Sequence, residues 1–135
     1  MRRAPHEPVT TPPIRQVRGR HAHADGLAAE QAACAALAAE GWTILARRAR
    51  TPAGEIDIVA ESDGLLAFIE VKRRASLAGA ALALSPRQRA RLLAAAEILL
   101  AGNPGWGRAG MRFDVILVDT AGRLRRIADA FRDEG

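Results

Sequence analysis

The chain has 135 residues, of which 49% are apolar, enough for one domain with a core of its own. Its net charge is +5 and its pI about 11.1, a balance that suits a polyanionic partner. No apolar run reaches the roughly 18 residues of a membrane-spanning helix, and the basic N-terminus has no apolar stretch behind it, so a transmembrane span and a secretory signal are both excluded from the reading.

Most of the net charge lies in the first 20 residues, which hold five arginines and one acid, Glu7. Pro5, Pro8, Pro12 and Pro13 fall in the same stretch and oppose helix and sheet ladders. Residues 1–20 therefore read as a disordered basic arm, and residues 21–135 as a single domain. The one cysteine, Cys34, rules out an intrachain disulfide and suits a reducing compartment, so the chain reads as cytoplasmic with no membrane partner. Cys34 itself reads as a small core residue.

A first helix is expected over 24–40, with Asp25 as N-cap and Gly41 as the stop. Leu27, Glu30, Gln31, Cys34, Leu37 and Ala38 follow helical spacing, which sets Glu30 at the apolar edge. Spacing alone favours a solvent-facing acid there. Trp42 to Ala49 reads as a first strand, with Arg47, Arg48 and Arg50 crowding its end. The turn Thr51-Pro52-Ala53-Gly54 leads to a second strand, and Ser62-Asp63-Gly64 makes a hairpin into a third. The third strand is apolar up to Glu70 and so reads as central.

Residues 75–84 read as a loop. Ser85-Pro86 opens a second helix that runs through Leu100 and stops at Gly102. Its first turns carry Arg87, Gln88, Arg89 and Arg91, against the preference of a helix N-terminus for acids, which suits an approaching anion. Met111 to Asp119 reads as a fourth strand, with Arg112 the expected partner of Asp114. Arg123 to Ala128 reads as a short last strand, with Ala130-Phe131 packing back on the core. The order α-β-β-β-α-β-β defines an α/β fold with a mixed sheet.

The chemistry concentrates on the second and third strands. Alternation puts Glu55 and Asp57 on one face, and Glu70 and Lys72 on one face. A regular hairpin would gather three carboxylates and an amine on one patch, an arrangement that is costly unless something binds there. Of 20 Lys and Arg residues, 19 are arginine, and the lone lysine is Lys72. A lysine is a compact point charge with a different reach from the planar guanidinium, so its survival at this position points to a role. Carboxylate oxygens suit Mg²⁺, which takes one or two protein carboxylates together with phosphate oxygens. Such an ion polarises a phosphodiester.

Asp57 followed by Glu70-Val71-Lys72 resembles the PD-(D/E)xK nuclease motif. The ordered set of Glu30, Gly54-Glu55-Ile56-Asp57, Phe68-Ile69-Glu70-Val71-Lys72-Arg73-Arg74, Gln88, Arg112-Phe113-Asp114 and Ala130-Phe131 resembles the YraN family of bacterial proteins. The resemblance spans about residues 19 to 131. That family is a set of predicted endonucleases, similar to archaeal Holliday junction resolvases. The resemblance implies a restriction-endonuclease-like core, a cofactor that is Mg²⁺ or Mn²⁺, DNA as the nucleic-acid partner and a homodimer. It implies catalytic roles for Asp57, Glu70 and Lys72, with Glu30, Asp57 and Glu70 as metal ligands and Glu55 as a ligand or its support. Arg47, Arg48, Arg73, Arg74, Arg87, Gln88 and Arg91 would then contact nucleic acid. The chain departs from the family in lacking a lysine near the start of the second helix, and in carrying arginine and alanine at the end of the first strand where asparagine is common. Two other classes compete with the nuclease. One is a nucleic-acid-binding protein that keeps the fold without cleaving. The other is an adaptor whose acids pair only with arginines and leave no cavity.

Overall fold

The computed structural model describes residues 17–77 and 84–131, with side chains from residue 26 onward. The arm up to residue 16, most of the loop expected over 75–84 and the last four residues lie outside the described residues.

Helix α1 spans Val17–Ala39 and starts ahead of the expected position. Asp25 therefore lies inside the helix and is not its cap. Pro13 is the last proline before it, and the glycines at 19 and 26 each cost only about 1 kcal/mol in a helix interior, so neither stops it. The C-terminal stop is Gly41, at φ 95. The Trp42 N–H donates to Leu37 O and the Gly41 N–H to Ala38 O, both at 3.0 Å. This is the Schellman pattern, in which the left-handed residue carries no Cβ penalty.

Three strands follow as a meander: β1 (Thr43–Thr51), β2 (Gly54–Ser62) and β3 (Leu65–Arg73). Thr51 shapes the first turn, its Oγ1 accepting from the Ala53 and Gly54 N–H groups at 3.0 and 3.1 Å and donating to Gly54 O at 2.7 Å. Asp63 and Gly64, at φ 51 and 83, make the two-residue turn between β2 and β3 that matches strand twist. Helix α2 (Pro86–Gly102) then crosses over and returns the chain as β4 (Gly110–Val118), parallel to β3. A parallel pair needs such a long connection. Strand β5 (Leu124–Phe131) closes the sheet, antiparallel to β4, in the order β1-β2-β3-β4-β5. β3 is central, as its apolar run requires.

β5 continues past the expected end at Ala128. Asp129, at φ 56, bulges out of the ladder and its N–H donates to Asp114 Oδ1 at 2.8 Å. The bulge lets pairing resume at Phe113↔Phe131. Phe113 stacks on Phe131 and on Phe68, with centroids 4.6 and 5.5 Å apart. Asp114, fully buried, is held by Arg112 with Nε 3.0 Å from Oδ1, the partner expected from their shared face.

The sheet has a helix on each side. Ala29, Ala33, Cys34 and Leu37 of α1 pack on Ile58, Ala60, Ala67, Ile69, Ile116 and Val118. Small side chains on the helix allow close approach to the sheet, and Cys34 is one of them, buried as expected. Leu92, Ala95 and Ala96 of α2 pack on Ile56, Val59, Leu66, Phe68, Phe113, Val115 and Leu117. Each fully buried Leu, Ile or Phe contributes roughly 1.5–3 kcal/mol, so both helices are fastened by their sheet contacts. Among the described residues no helix is long and apolar enough to cross a membrane.

Candidate functional site

The site forms where the sheet splits. β2 stays paired with β1 down to Thr51↔Gly54. β3 stays paired with β4 up to Arg73↔Val118. Between β2 and β3, however, the ladder ends at Ile58↔Ile69. Glu55, Asp57, Glu70 and Lys72 all lie beyond that last pair.

Asp57 bridges the opening, its Oδ2 accepting the Val71 N–H at 2.8 Å. A side-chain carboxylate thus replaces a ladder carbonyl. Face alternation slips at the same place. Ile56 and Val59, three residues apart, both pack on the α2 side, while Ile58 packs on the α1 side. Across from Asp57, Arg48 of β1 takes φ 51. The distortion therefore involves both strands.

The slip corrects the expectation of a single patch. Extending the hairpin register would set Asp57 opposite Glu70 and Glu55 opposite Lys72. Instead Asp57 and Glu55 turn to the α1 side, where they line an open cleft of about 310 Å³ with Glu30, Arg48, Val71 and Arg73. Register places Glu70 beside Val115 and Lys72 beside Leu117, the α2 side. Lys72 Nζ lies 3.4 Å from Glu70 Oε2, and both side chains are largely covered. The two groups communicate through the gap. Burial raises the Asp57 carboxyl from the usual range to about 7, and the nearby Glu70 charge adds to the rise. The Val71 hydrogen bond pulls it down, and Glu30 and Glu55 push it up further.

Glu30 is buried and faces this cleft, against the solvent-facing position that spacing favoured. The reason is its partners. Arg48 Nε lies 3.3 Å and Arg47 Nη2 3.7 Å from Glu30 Oε1, and paired charge makes burial tolerable. Arg47 also donates to Gln31 Oε1 at 3.3 Å. Both arginines therefore serve the α1–β1 contact, whatever else they touch. Glu55 pairs with Arg50 at 3.4 Å in an exposed setting.

The other basic residues stand at the end of β3 and on α2. Arg73 is exposed on the cleft wall. Arg74 donates from Nη1 to Arg73 O at 2.8 Å. Arg87 and Arg91 are exposed on α2. Gln88 closes the capping box of α2. Its Oε1 accepts the Ser85 N–H at 2.8 Å, and its own N–H donates to Ser85 Oγ at 3.1 Å.

Two contributors were not legible as site residues. The Val71 N–H is a backbone donor, which no residue type announces. Gly54, at φ 141, lies so close to α2 that a Cβ there would stand 2.7 Å from Arg91 Cγ and Cδ. The signal for it is its place at the head of β2.

Among the described residues no three His, Cys, Asp or Glu side chains are grouped so as to hold a metal ion among them. That does not conflict with magnesium, whose usual protein donors are one or two carboxylates. Asp57 and Glu70 turn to opposite faces but stand near enough across the split for the Glu70 charge to raise the Asp57 carboxyl.

A mixed five-stranded sheet with one helix on each face, in the order α-β-β-β-α-β-β, is the α/β class expected from the sequence, with acids at a split between the second and third strands. The chain belongs to the family described as Uncharacterised protein family UPF0102, matched over residues 29–118, which is the YraN family that its motifs resemble. It is 62% identical over 116 residues to a UPF0102 protein of Granulibacter bethesdensis, covering 86% of this chain and 73% of that one. It is 52% identical over 128 residues to a UPF0102 protein of Azorhizobium caulinodans, covering 95% and 96%. A UPF0102 protein of Acidiphilium cryptum is 48% identical over 113 residues, covering 84% of this chain and 88% of its own.

Proposed function

We propose that the chain is a cytoplasmic Mg²⁺- or Mn²⁺-dependent endonuclease that hydrolyses DNA phosphodiester bonds in branched or recombination intermediates. The observation that supports this reading is the split between β2 and β3, which brings Asp57 and the Glu70–Lys72 pair to one opening in the sheet. Asp57 and Glu70 would hold the ion, with Glu30 a further carboxylate on the cleft wall. A divalent ion bound there supplies Lewis-acid polarisation of the phosphodiester.

The chain's own residues do the rest. The Val71 N–H orients the Asp57 carboxylate. Glu70 keeps the Lys72 ammonium at the opening, where it can donate to a phosphate oxygen as negative charge develops in the transition state. Arg73, Arg87 and Arg91, exposed around the site, would hold flanking phosphates without reading sequence. The resemblance to resolvases favours a homodimer, since a four-way junction presents two cleavage points and a two-fold assembly matches them.

The ion pairing of Glu30 with two arginines favours a second reading, a nucleic-acid-binding protein on the same fold that does not cleave. Incubating the purified protein with junction, flap, single-stranded and duplex DNA in Mg²⁺ or Mn²⁺ separates the two. Cleavage lost in Asp57→Asn supports the nuclease. Binding of DNA with no cutting of any substrate supports the binder.

A further inference from the structure

Arg48 is singled out by its backbone and by its side chain. Its φ of 51 lies in the left-handed region, which costs a residue with a Cβ on the order of 1 kcal/mol or more. Asparagine, aspartate and glycine are the residues at ease there; arginine is not. The strained position is the slot that faces Asp57, between the pairs Arg47↔Ile58 and Ala49↔Ile56. From it the side chain enters the acidic cleft, where Nε donates to Glu30 Oε1 at 3.3 Å. Arg47 stands farther from the same oxygen, at 3.7 Å, and shares its guanidinium with Gln31. The Arg48 side chain is 32% exposed and the Glu30 side chain 10%. The guanidinium is thus at the cleft and the carboxylate behind it.

A cleft that gathers Glu30, Glu55 and Asp57 is therefore furnished with a cation of its own. We propose that Arg48 is a positioning residue that acts as a built-in counter-ion, holding Glu30 on its guanidinium and competing with a divalent cation for that carboxylate. The inference rests on the metal-site reading above and adds to it a competitor within the chain. Two positive groups cannot share one carboxylate at close range without mutual repulsion. Glu30 must loosen from Arg48 before it can serve the ion, so Arg48 weakens metal binding in the resting protein and keeps Glu30 ordered until then.

The test is calorimetric titration of Mn²⁺, and separately Mg²⁺, into the full chain carrying Arg48→Asn or Arg48→Lys, beside the unaltered protein. Asparagine accepts the left-handed backbone, and thermal unfolding in EDTA checks that the variant folds; Arg48→Gly is the second choice at the same φ. Arg48→Asn is expected to bind the ion roughly tenfold more tightly, because the nearer of the two charges on Glu30 is gone and Arg47, at 3.7 Å, is held by Gln31 as well. Arg48→Lys keeps the charge and should keep the unaltered affinity. Adding Glu30→Gln to Arg48→Asn should abolish the gain. A merely structural ion pair predicts unchanged or weaker binding in Arg48→Asn, and that result, with the unaltered protein binding metal, overturns this inference alone. No binding by any of the proteins overturns the metal reading and the inference together.

Discussion

Asp57 reaches across the split in the sheet and accepts the Val71 amide proton, Oδ2 to N, at 2.8 Å. One contact thus closes a backbone donor that the departing strand leaves behind and fixes the carboxylate at the opening. Asp57→Ala would leave that half-buried donor without its partner, at a cost of about 1–3 kcal/mol. Asp57→Asn keeps an oxygen that can accept the same proton. Amide exchange at Val71 should speed up markedly in the alanine variant and little in the asparagine one.

The same carboxylate makes metal-free stability depend on pH. Its pKa in the folded chain, about 7, lies above the ordinary value near 3.8, with burial the main cause and Glu70 the next. The folded state holds the proton more tightly than the unfolded state does. The resulting stability is fully present below about pH 4 and is lost as the pH rises through 7. The loss is on the order of 2–4 kcal/mol. In EDTA the melting temperature of the unaltered protein should fall over that window. Asp57→Asn should flatten the fall and melt higher than the unaltered protein at pH 8.

Asp119 works in the opposite direction, one residue beyond Val118, the β4 partner of Arg73. Its carboxylate accepts the Arg123 N–H at 2.8 Å, the Ala121 N–H at 2.9 Å and Arg123 Nε at 2.9 Å. The backbone bond from Arg123 leads these in holding its carboxyl below the ordinary range. Its contribution is present above the ordinary carboxylate pKa and is lost as the pH falls through the lowered value. Asp119→Ala should lower the melting temperature at neutral pH, loosen the β4–β5 turn and reduce the steepness of acid unfolding.

Gly54 couples the start of β2 to α2. An alanine there meets both a left-handed backbone at φ 141 and the Arg91 stem at 2.7 Å. Gly54→Ala should cost about 1–3 kcal/mol. It should also displace Arg91, so that binding of a duplex weakens with a shallower dependence on salt.

The fold was largely legible because its elements carry strong local signals. Gly41, Asp63-Gly64 and Ser85-Pro86 punctuate the chain, and the apolar run of β3 announces a central strand. The limits moved where tertiary context outweighs local preference. Asp129, a poor strand residue, marks a bulge that Asp114 satisfies, and the helix ahead of Asp25 has no breaker to stop it. At the site, residue types and spacing gathered Glu55, Asp57, Glu70 and Lys72 as one group, and the family resemblance set Asp57, Glu70 and Lys72 apart within it. The faces they take were not legible, because strict alternation cannot anticipate a slip at Asp57 matched by a left-handed Arg48. Glu30 was misjudged for a related reason: helical spacing sets its side, but the arginines that make its burial tolerable come from β1.

Whether the proposed opening between β2 and β3 cuts phosphodiesters is decided most directly at Lys72. The measurement is the single-turnover rate of cleavage of the best substrate in the DNA panel, in Mn²⁺ or Mg²⁺, by the unaltered protein and by Lys72→Ala, with DNA affinity measured in parallel. A cutting centre there gives cleavage that EDTA abolishes, and a rate about 10²–10³-fold lower in Lys72→Ala with binding nearly unchanged. Equal rates for the two proteins, or no cutting of any substrate by either, would contradict it.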